Sequence, residues 1–189
     1  DTIIWLIHAK EDDKAIEMVD ALSQFFRTSL SKGQDFIEVS EELSHVQNYL
    51  TIQSSRNWDK LDYEINVNEN IMNYKMMKLL LQPLVENAIY HGLKPKSSGG
   101  KIWINGWLEN DLLVFTVRDN GVGIEPQKLD ELREMLCGSQ PLSENRHGFG
   151  LYNVKERIKL YYMGDCGITI NSTPGQGTII TLRIKGLKP

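Results

Sequence analysis

Near residue 60 the apolar residues of this chain change their spacing, and that change limits the folds open to it. Up to about residue 58 the pattern is helical. Ile16, Val19, Leu22 and Phe26 recur at three- and four-residue steps, and Leu43, Val46 and Leu50 repeat the spacing beyond a break at Gly33. Ser40, followed by Glu41 and Glu42, reads as an N-cap with acids in the first turn, so a second helix is expected to start near 41. From residue 61 the period is two: LDYEINVN at 61–68, KIWINGWL at 101–108 and LLVFTVRD at 112–119 alternate like half-buried strands. GDCGITINST and GTIITLRIK near the C-terminus do the same, with helical stretches at 76–92, 126–137 and 149–163 between the strands. The expected fold class is α+β. A helical hairpin over 1–58 precedes a two-layer α/β sandwich over 59–189, in which helices cover one side of a mixed sheet. Two helices alone bury little, so an apolar face left on the hairpin is expected to find a second copy of itself and form a homodimer.

The chain has 189 residues, room for one well-buried core and a smaller appendage. A formal net charge of -4 gives no reason to expect nucleic acid or an anionic membrane surface as the main partner. Apolar runs such as IIWLI at 3–7 fall short of the ~20 residues that span a bilayer. Cys137 and Cys166 stand apart without metal-ligand spacing, so reduced thiols are expected rather than a disulfide or a zinc site. A start already in helical pattern, without methionine, reads as a piece of a longer protein.

Chemistry is carried by four separated stretches. VRDNGVGIEP at 117–126 ends an apolar alternation on Asp119, a carboxylate able to accept a hydrogen bond from a ligand donor such as an exocyclic amine. Gly121 and Gly123 follow, where a backbone that turns sharply and approaches a flat ring has no room for a Cβ. In LVENAIYHG at 84–92, Asn87 and His91 share a helical face at i, i+4 spacing, opposite the apolar Leu84, Val85, Ala88 and Ile89. The Asn87 amide oxygen is a neutral, hard ligand suited to Mg²⁺. HGFGLYNVKERI at 147–158 leads two glycines, Gly148 and Gly150, into an amphipathic helix, an arrangement that aims backbone N–H groups at an anion. TPGQGTIITL at 173–182 gives a Gly-x-Gly-Thr turn into a strand. Each alone is an ordinary turn or helix start. Neither the dinucleotide fingerprint nor the P-loop pattern occurs.

Together, in this order and setting, the stretches resemble the nucleotide-binding blocks of the GHKL ATPase and kinase superfamily, with its Bergerat-type ATP-binding fold. LLLQPLVENAIYHG, DNGVGI and GFGLYNVKERI are most similar to the LytS/YesM type of sensor histidine kinase, and the helical segment before them is also similar. The resemblance implies ATP and Mg²⁺ as cofactors. It implies that Asp119 bonds the adenine amine, that Gly121 and Gly123 open a flexible lid running between 125 and 147, and that Asn87 binds the magnesium ion. His91 would face the nucleotide, Gly148 and Gly150 would hold phosphates, and Leu151 and Thr178 would sit at the nucleotide, Thr178 beside Asp119. Glu86 is the candidate for polarising the attacking group, though surface helices also carry glutamate for no catalytic reason. Tyr90 stands where relatives often carry a basic residue, and Lys94 or Lys96 could compensate.

The type's phosphoacceptor histidine lies upstream of this stretch, so none of His8, His45, His91 and His147 is expected to be phosphorylated. Further implications are a response-regulator receiver domain as partner, a cytoplasmic location, and a membrane attachment only through a sensor region outside this sequence. Two alternatives remain at this point: an ATPase used as a conformational clamp, and a degenerate nucleotide-binding dimer scaffold. Clamps of the gyrase and MutL kinds place a glutamate four residues before the magnesium asparagine, where this chain has Pro83.

Overall fold

A computed structural model of the chain describes residues 2–30, 33–55, 61–96, 99–138 and 149–188. Helix α1 (Thr2–His8) and helix α2 (Asp12–Leu30) are separated by a turn in which Lys10 takes a φ of 60°. Strand β1 (Phe36–Glu38) runs straight into helix α3 (Val39–Ser54). That helix starts earlier than its acids suggest, and its N-cap is Glu38, not Ser40. The Glu38 N–H donates to the Glu41 carboxylate at 3.0 Å and the Glu38 carboxylate accepts from the helix backbone in return, a capping box. Ser40 donates its hydroxyl to Glu38 at 3.1 Å.

Three of the four residues in the stripe that marks α2 in the sequence do not face the core. Ala15, Met18 and Ala21 are buried against Leu6 and Ile52, whereas Ile16, Val19 and Phe26 are 60%, 48% and 59% exposed. Two alanines sit in the face toward α1 and α3, where Leu22 and Phe25 also pack, while Ile16, Val19 and Phe26 turn outward. Periodicity cannot tell such a small-residue face from a polar one.

The remaining elements are β2 (Leu61–Val67), β3 (Lys75–Met77), α4 (Gln82–Asn87), β4 (Gly100–Glu109), β5 (Leu112–Asp119), α5 (Pro126–Cys137), α6 (Phe149–Tyr161), β6 (Gly167–Thr173) and β7 (Gly177–Ile184). The helix expected over 76–92 begins only at Gln82, with Pro83 in its first turn, and continues as a π-helical turn, Ala88–Leu93. Residues 75–77 are instead a strand that pairs antiparallel with β1. Helix α6 ends at Tyr161, two residues short of expectation.

Five strands form a mixed sheet in the order β2-β4-β5-β7-β6, parallel between β2 and β4 and antiparallel elsewhere. Register places Ile104 opposite Val117, Val117 opposite Ile180, and Ile180 opposite Ile170. Those four residues are buried against Leu84 and Val85 of α4, Leu129 of α5 and Leu151, Val154 and Ile158 of α6. The other face carries Lys101 and Arg118, whose cations lie 5.7 and 5.3 Å from the Trp103 ring centroid. Asp119 shares the parity of Leu113, Phe115 and Val117, so β5 delivers its terminal carboxylate to the helix-covered face. Among the described residues no helix is long and apolar enough to cross a membrane.

Helix α3 joins this core through Val39, Val46 and Leu50, all fully buried, and through the fully buried carboxylate of Glu42. Glu42 accepts the N–H groups of Leu79, Leu80 and Leu81 at 2.7, 2.8 and 2.8 Å. Leu79 holds a φ of 57°, rare for a branched residue, and a left-handed residue turns successive N–H groups toward one point, a natural cradle for an anion. From the other side, the Arg157 guanidinium of α6 donates to the carbonyls of Leu79 and Lys78 at 2.9 and 2.6 Å. Burial pushes the Glu42 carboxyl above its ordinary range, against the pull of the three N–H groups and nearby His45. The sequence suggested that Glu42 serves the helix dipole; its larger part is to fix the loop that leads into α4. Glu42→Ala leaves three buried N–H groups without an acceptor and is expected to lower unfolding stability by roughly 3 kcal/mol or more in urea titrations. Glu42→Gln, which keeps one acceptor, should cost about half as much.

Candidate functional site

The ends of four elements meet above the sheet around a cavity of about 330 Å³. Strand β5 brings Asp119, α4 with its π turn brings Asn87 and His91, β7 brings Thr178, and α6 brings Leu151; all five line the cavity, as does Gly123. Val122, Ile124, Leu132, Ile170 and Ile180 supply much of the apolar lining. Gly150 lies beside Asn87, close enough that a Cβ there would sit 3.5 Å from the Asn87 amide nitrogen. Gly121 supports the cavity without lining it. Glu86 is not among the lining residues; its carboxylate accepts the Gln82 amide N–H at 2.8 Å on another side of α4. Gly148 lies outside the described residues, as do 139–147 of the segment expected to form the lid, whereas 126–137 of that segment is helix α5.

Close backbone approach shapes the site. In the π turn the Lys94 N–H reaches back five residues to the Ile89 carbonyl at 2.8 Å, and this wider turn carries Gly92 against the end of β5. A Cβ on Gly92 would lie 2.6 Å from Asp119 Oδ1, and one on Gly121 would collide with the Gly92 carbonyl group. Val122 N–H donates to that carbonyl at 2.9 Å. The turn after Asp119 is further pinned by Gly175 N–H to the Val122 carbonyl at 2.7 Å and by Ile124 N–H to Ser172 Oγ at 2.9 Å. With the Gly121 N–H bond to Asp119, residues 121–124 thus take part in four hydrogen bonds and lead into helix α5. Of the two lysines considered for the phosphate side, Lys94 lies 5.0 Å from the Tyr90 ring centroid, and Lys96 donates to the Asn120 carbonyl at 2.9 Å.

Asp119 is 4% exposed. Burial pushes its carboxyl up to about 6, opposed by the N–H groups of Gly121 and Thr178 and by the Lys96 ammonium. The Gly121 N–H occupies one oxygen, Oδ1, at 2.8 Å. Ser172 gives its single hydroxyl hydrogen to the Gly177 carbonyl at 2.8 Å, so Thr178 Oγ1, 2.9 Å from Ser172 Oγ, is the donor in that pair. The Thr178 lone pairs are left to accept. An apolar slot ending in a buried carboxylate and a threonine oxygen suits a flat heterocycle with an exocyclic N–H donor. Gly92, Ser172 and Gly177 belong to this arrangement but carried no role in the sequence reading. Gly92 and Gly177 stand inside quoted motifs and could have been found there; the Ser172 contact depends on a tertiary approach.

Asn87 Nδ2 donates to the Pro83 carbonyl at 2.5 Å, which turns Oδ1 the other way. One neutral protein oxygen at the cavity wall fits a Mg²⁺ that takes its other ligands from phosphates and water. Among the described residues no cluster of three His, Cys, Asp or Glu forms a closed metal site.

The raised Asp119 pKa makes stability depend on pH. Its folded value near 6 exceeds the ~3.9 of an unfolded aspartate, so its contribution to stability is complete below about pH 4 and is lost as pH rises through 6. Relative to Asp119→Asn, the wild-type chain is expected to lose on the order of 2 kcal/mol between pH 4 and 7, read as diverging denaturant midpoints.

Comparison with known proteins agrees with this geometry. The family model for the Histidine kinase-, DNA gyrase B-, and HSP90-like ATPase matches residues 72–187, and a Histidine kinase model matches residues 1–61. Sensor histidine kinase YesM of Bacillus subtilis is 30% identical over 184 residues, 97% of this chain and 30% of the relative. Sensor histidine kinase BtsS of Escherichia coli K12 is 29% identical, covering 93% of this chain and 28% of its own length. Sensor protein LytS of Bacillus anthracis is 30% identical, with 91% and 29% covered. The chain therefore spans less than a third of these relatives. Among solved structures, the histidine kinase domain of the Erythrobacter litoralis EL346 blue-light activated kinase has a TM-score of 0.57 at 16% identity, covering 91% of this chain and 74% of that one. The catalytic domain of histidine kinase ThkA also reaches 0.57 at 16% identity, over 82% and 97%. Two family matches that span nearly the whole sequence agree with these relatives: the chain belongs to the Histidine kinase-, DNA gyrase B-, and HSP90-like ATPase family, with the sensor histidine kinases of the YesM, BtsS and LytS type.

Proposed function

We propose that the chain binds Mg-ATP in the cavity around Asp119. In a two-component sensor kinase it then directs the γ-phosphoryl group to a histidine upstream of this stretch, for relay to the receiver-domain aspartate of a response regulator. The observation that carries the reading is the buried Asp119 carboxylate at the end of an apolar slot, with Asn87 on the wall of the same cavity and Gly150 beside Asn87. In this reading Asp119 accepts the adenine amine, with Thr178 beside it, and Leu151 packs on the nucleotide. Gly121 and Gly123 shape the turn, while His91, Gly148 and Gly150 serve the phosphate end. Asn87 Oδ1 is the protein ligand for Mg²⁺, which when bound neutralises phosphate charge. Phosphoryl transfer asks mostly for positioning and charge stabilisation, so the protein need supply little covalent chemistry.

The division into a helical hairpin over 1–58 and an ATP-binding unit over 59–189 belongs to the same proposal. The hairpin would dimerise through the outward stripe of Ile16, Val19, Phe26 and Leu30, with Ile4, Trp5 and Ile7 of α1 also about half exposed. Side chains of this size left in water on neighbouring helices favour a self-complementary partner surface. The unit would work on the cytoplasmic side, tied to the membrane only through a sensor region outside this sequence.

Nucleotide binding tests the site directly. By calorimetry, Asp119→Asn is expected to weaken ATP-analogue binding by on the order of tenfold or more, about 1.4 kcal/mol, with the fold intact. Asn87→Ala should abolish the magnesium dependence of the affinity, and unchanged binding in both variants would remove the site. Joint replacement Val19→Asp and Phe26→Glu is expected to convert a dimer to a monomer by sedimentation analysis, and a wild-type chain that is already monomeric at high concentration would count against the hairpin interface.

A further inference from the structure

Helix α4 presents two polar sides. Asn87 and His91 line the cavity, whereas Gln82 and Glu86, one turn apart, engage α3. His45 of α3 is fully buried, its Nε2 lies 2.6 Å from Gln82 Oε1, and the Gln82 Nε2–H donates to Glu86 Oε1 at 2.8 Å. A carboxylate only accepts, so the glutamine must turn its NH₂ toward Glu86 and its oxygen toward His45. His45 is then the donor through Nε2, and Nδ1 carries the lone pair. His45 Nδ1 is buried without a hydrogen-bond partner. The imidazole stacks on Phe25 of α2, ring centroids 4.4 Å apart and planes within 16°. Glu86 also stands near Tyr49 of α3, whose hydroxyl is raised above the ordinary phenol range first by burial and then by Glu86 and Tyr90 beside it.

A buried imidazole with one unmet nitrogen is a costly way to fill space that an apolar side chain could fill. Its polarity has to serve the groups it bonds. We propose that His45 and Gln82 are positioning residues that hold the Glu86 carboxylate at the border between hairpin and cavity, where it acts on the incoming acceptor imidazole and not on the nucleotide or its metal. The inference rests on the kinase reading above. In the step it serves, the lone pair of the attacking ring nitrogen forms the N–P bond. The bond from the γ-phosphorus to the bridging oxygen breaks, its electron pair staying on ADP. The proton on the other ring nitrogen passes to Glu86 and from there to water.

A double-mutant cycle on self-phosphorylation of the full-length protein, acceptor histidine included, tests the relay. Glu86→Gln is expected to lower kcat by on the order of a hundredfold. Gln82→Met, close in shape but unable to bridge, should lower kcat by about tenfold in the wild-type background with the KM for ATP unchanged. In the Glu86→Gln background the same replacement should cost nothing, because it acts only through the lost carboxylate. Gln82→Glu, which keeps an acceptor for His45 but removes the donor to Glu86, should behave like Gln82→Met and serves if the methionine variant does not fold. Equal losses in both backgrounds, or an unchanged kcat in the first, overturn the relay and leave the kinase reading standing. A Glu86→Gln protein of full rate overturns the role of Glu86. A wild-type protein that never labels itself with Mg-ATP overturns the kinase reading instead.

Discussion

One buried carboxylate fixes the relation between the helices and the cavity. Glu42 gathers three backbone N–H groups that a left-handed Leu79 turns to a common point, while Arg157 takes the carbonyls of the same loop. A leucine in that conformation costs roughly 1 kcal/mol or more, and the loop tolerates it because charged partners hold it from both sides. Everything downstream inherits the placement: where α4 starts, which way Asn87 faces, and how α6 lies across the sheet. Helix α3 therefore behaves as part of the wall behind the cavity. Its contact with α4 is through buried polar groups as well as leucines, and polar contacts fix direction where apolar packing fixes only proximity.

Much of this was legible in the sequence. The switch of period near residue 60, the parity that sends Asp119 to the covered face, and the 126–137 helix all follow from side-chain alternation. Asp119, Asn87, His91, Gly123, Leu151 and Thr178 line one cavity, and all but Gly123 sit in or at the ends of regular elements, where position is tightly set. What the pattern hid depends on contacts between distant segments. Helix α2 buries Ala15, Met18 and Ala21 in place of Ile16, Val19 and Phe26, since the choice between two apolar faces is made by its neighbour. KMM at 75–77 has helix-like flanks and becomes a strand because FIE at 36–38 is there to pair with it. Glu42 looked like a first-turn acid, and only the fold reveals the loop it binds.

The same separation of roles runs through α4. Its apolar residues Leu84, Val85, Ala88 and Ile89 anchor it to the sheet, and that anchoring leaves two polar sides at fixed angles to one another. One side meets the cavity and the other meets α3. A short helix can report on both only if it neither rotates nor slides. Proline at its start, Glu42 on the preceding loop and the wide turn that presses Gly92 against Asp119 all oppose such motion.

The parity of β5 has a consequence for how relatives of this chain can diverge. Because successive residues of a strand point to opposite faces, inserting or deleting one residue between Leu113 and Asp119 would turn the terminal carboxylate out of its slot toward the side where Arg118 and Trp103 stack. Length changes in that strand must therefore keep its parity, and the two-residue hairpin before it is constrained as well, because Asn110 and Asp111 both hold left-handed φ values of 50° and 63°.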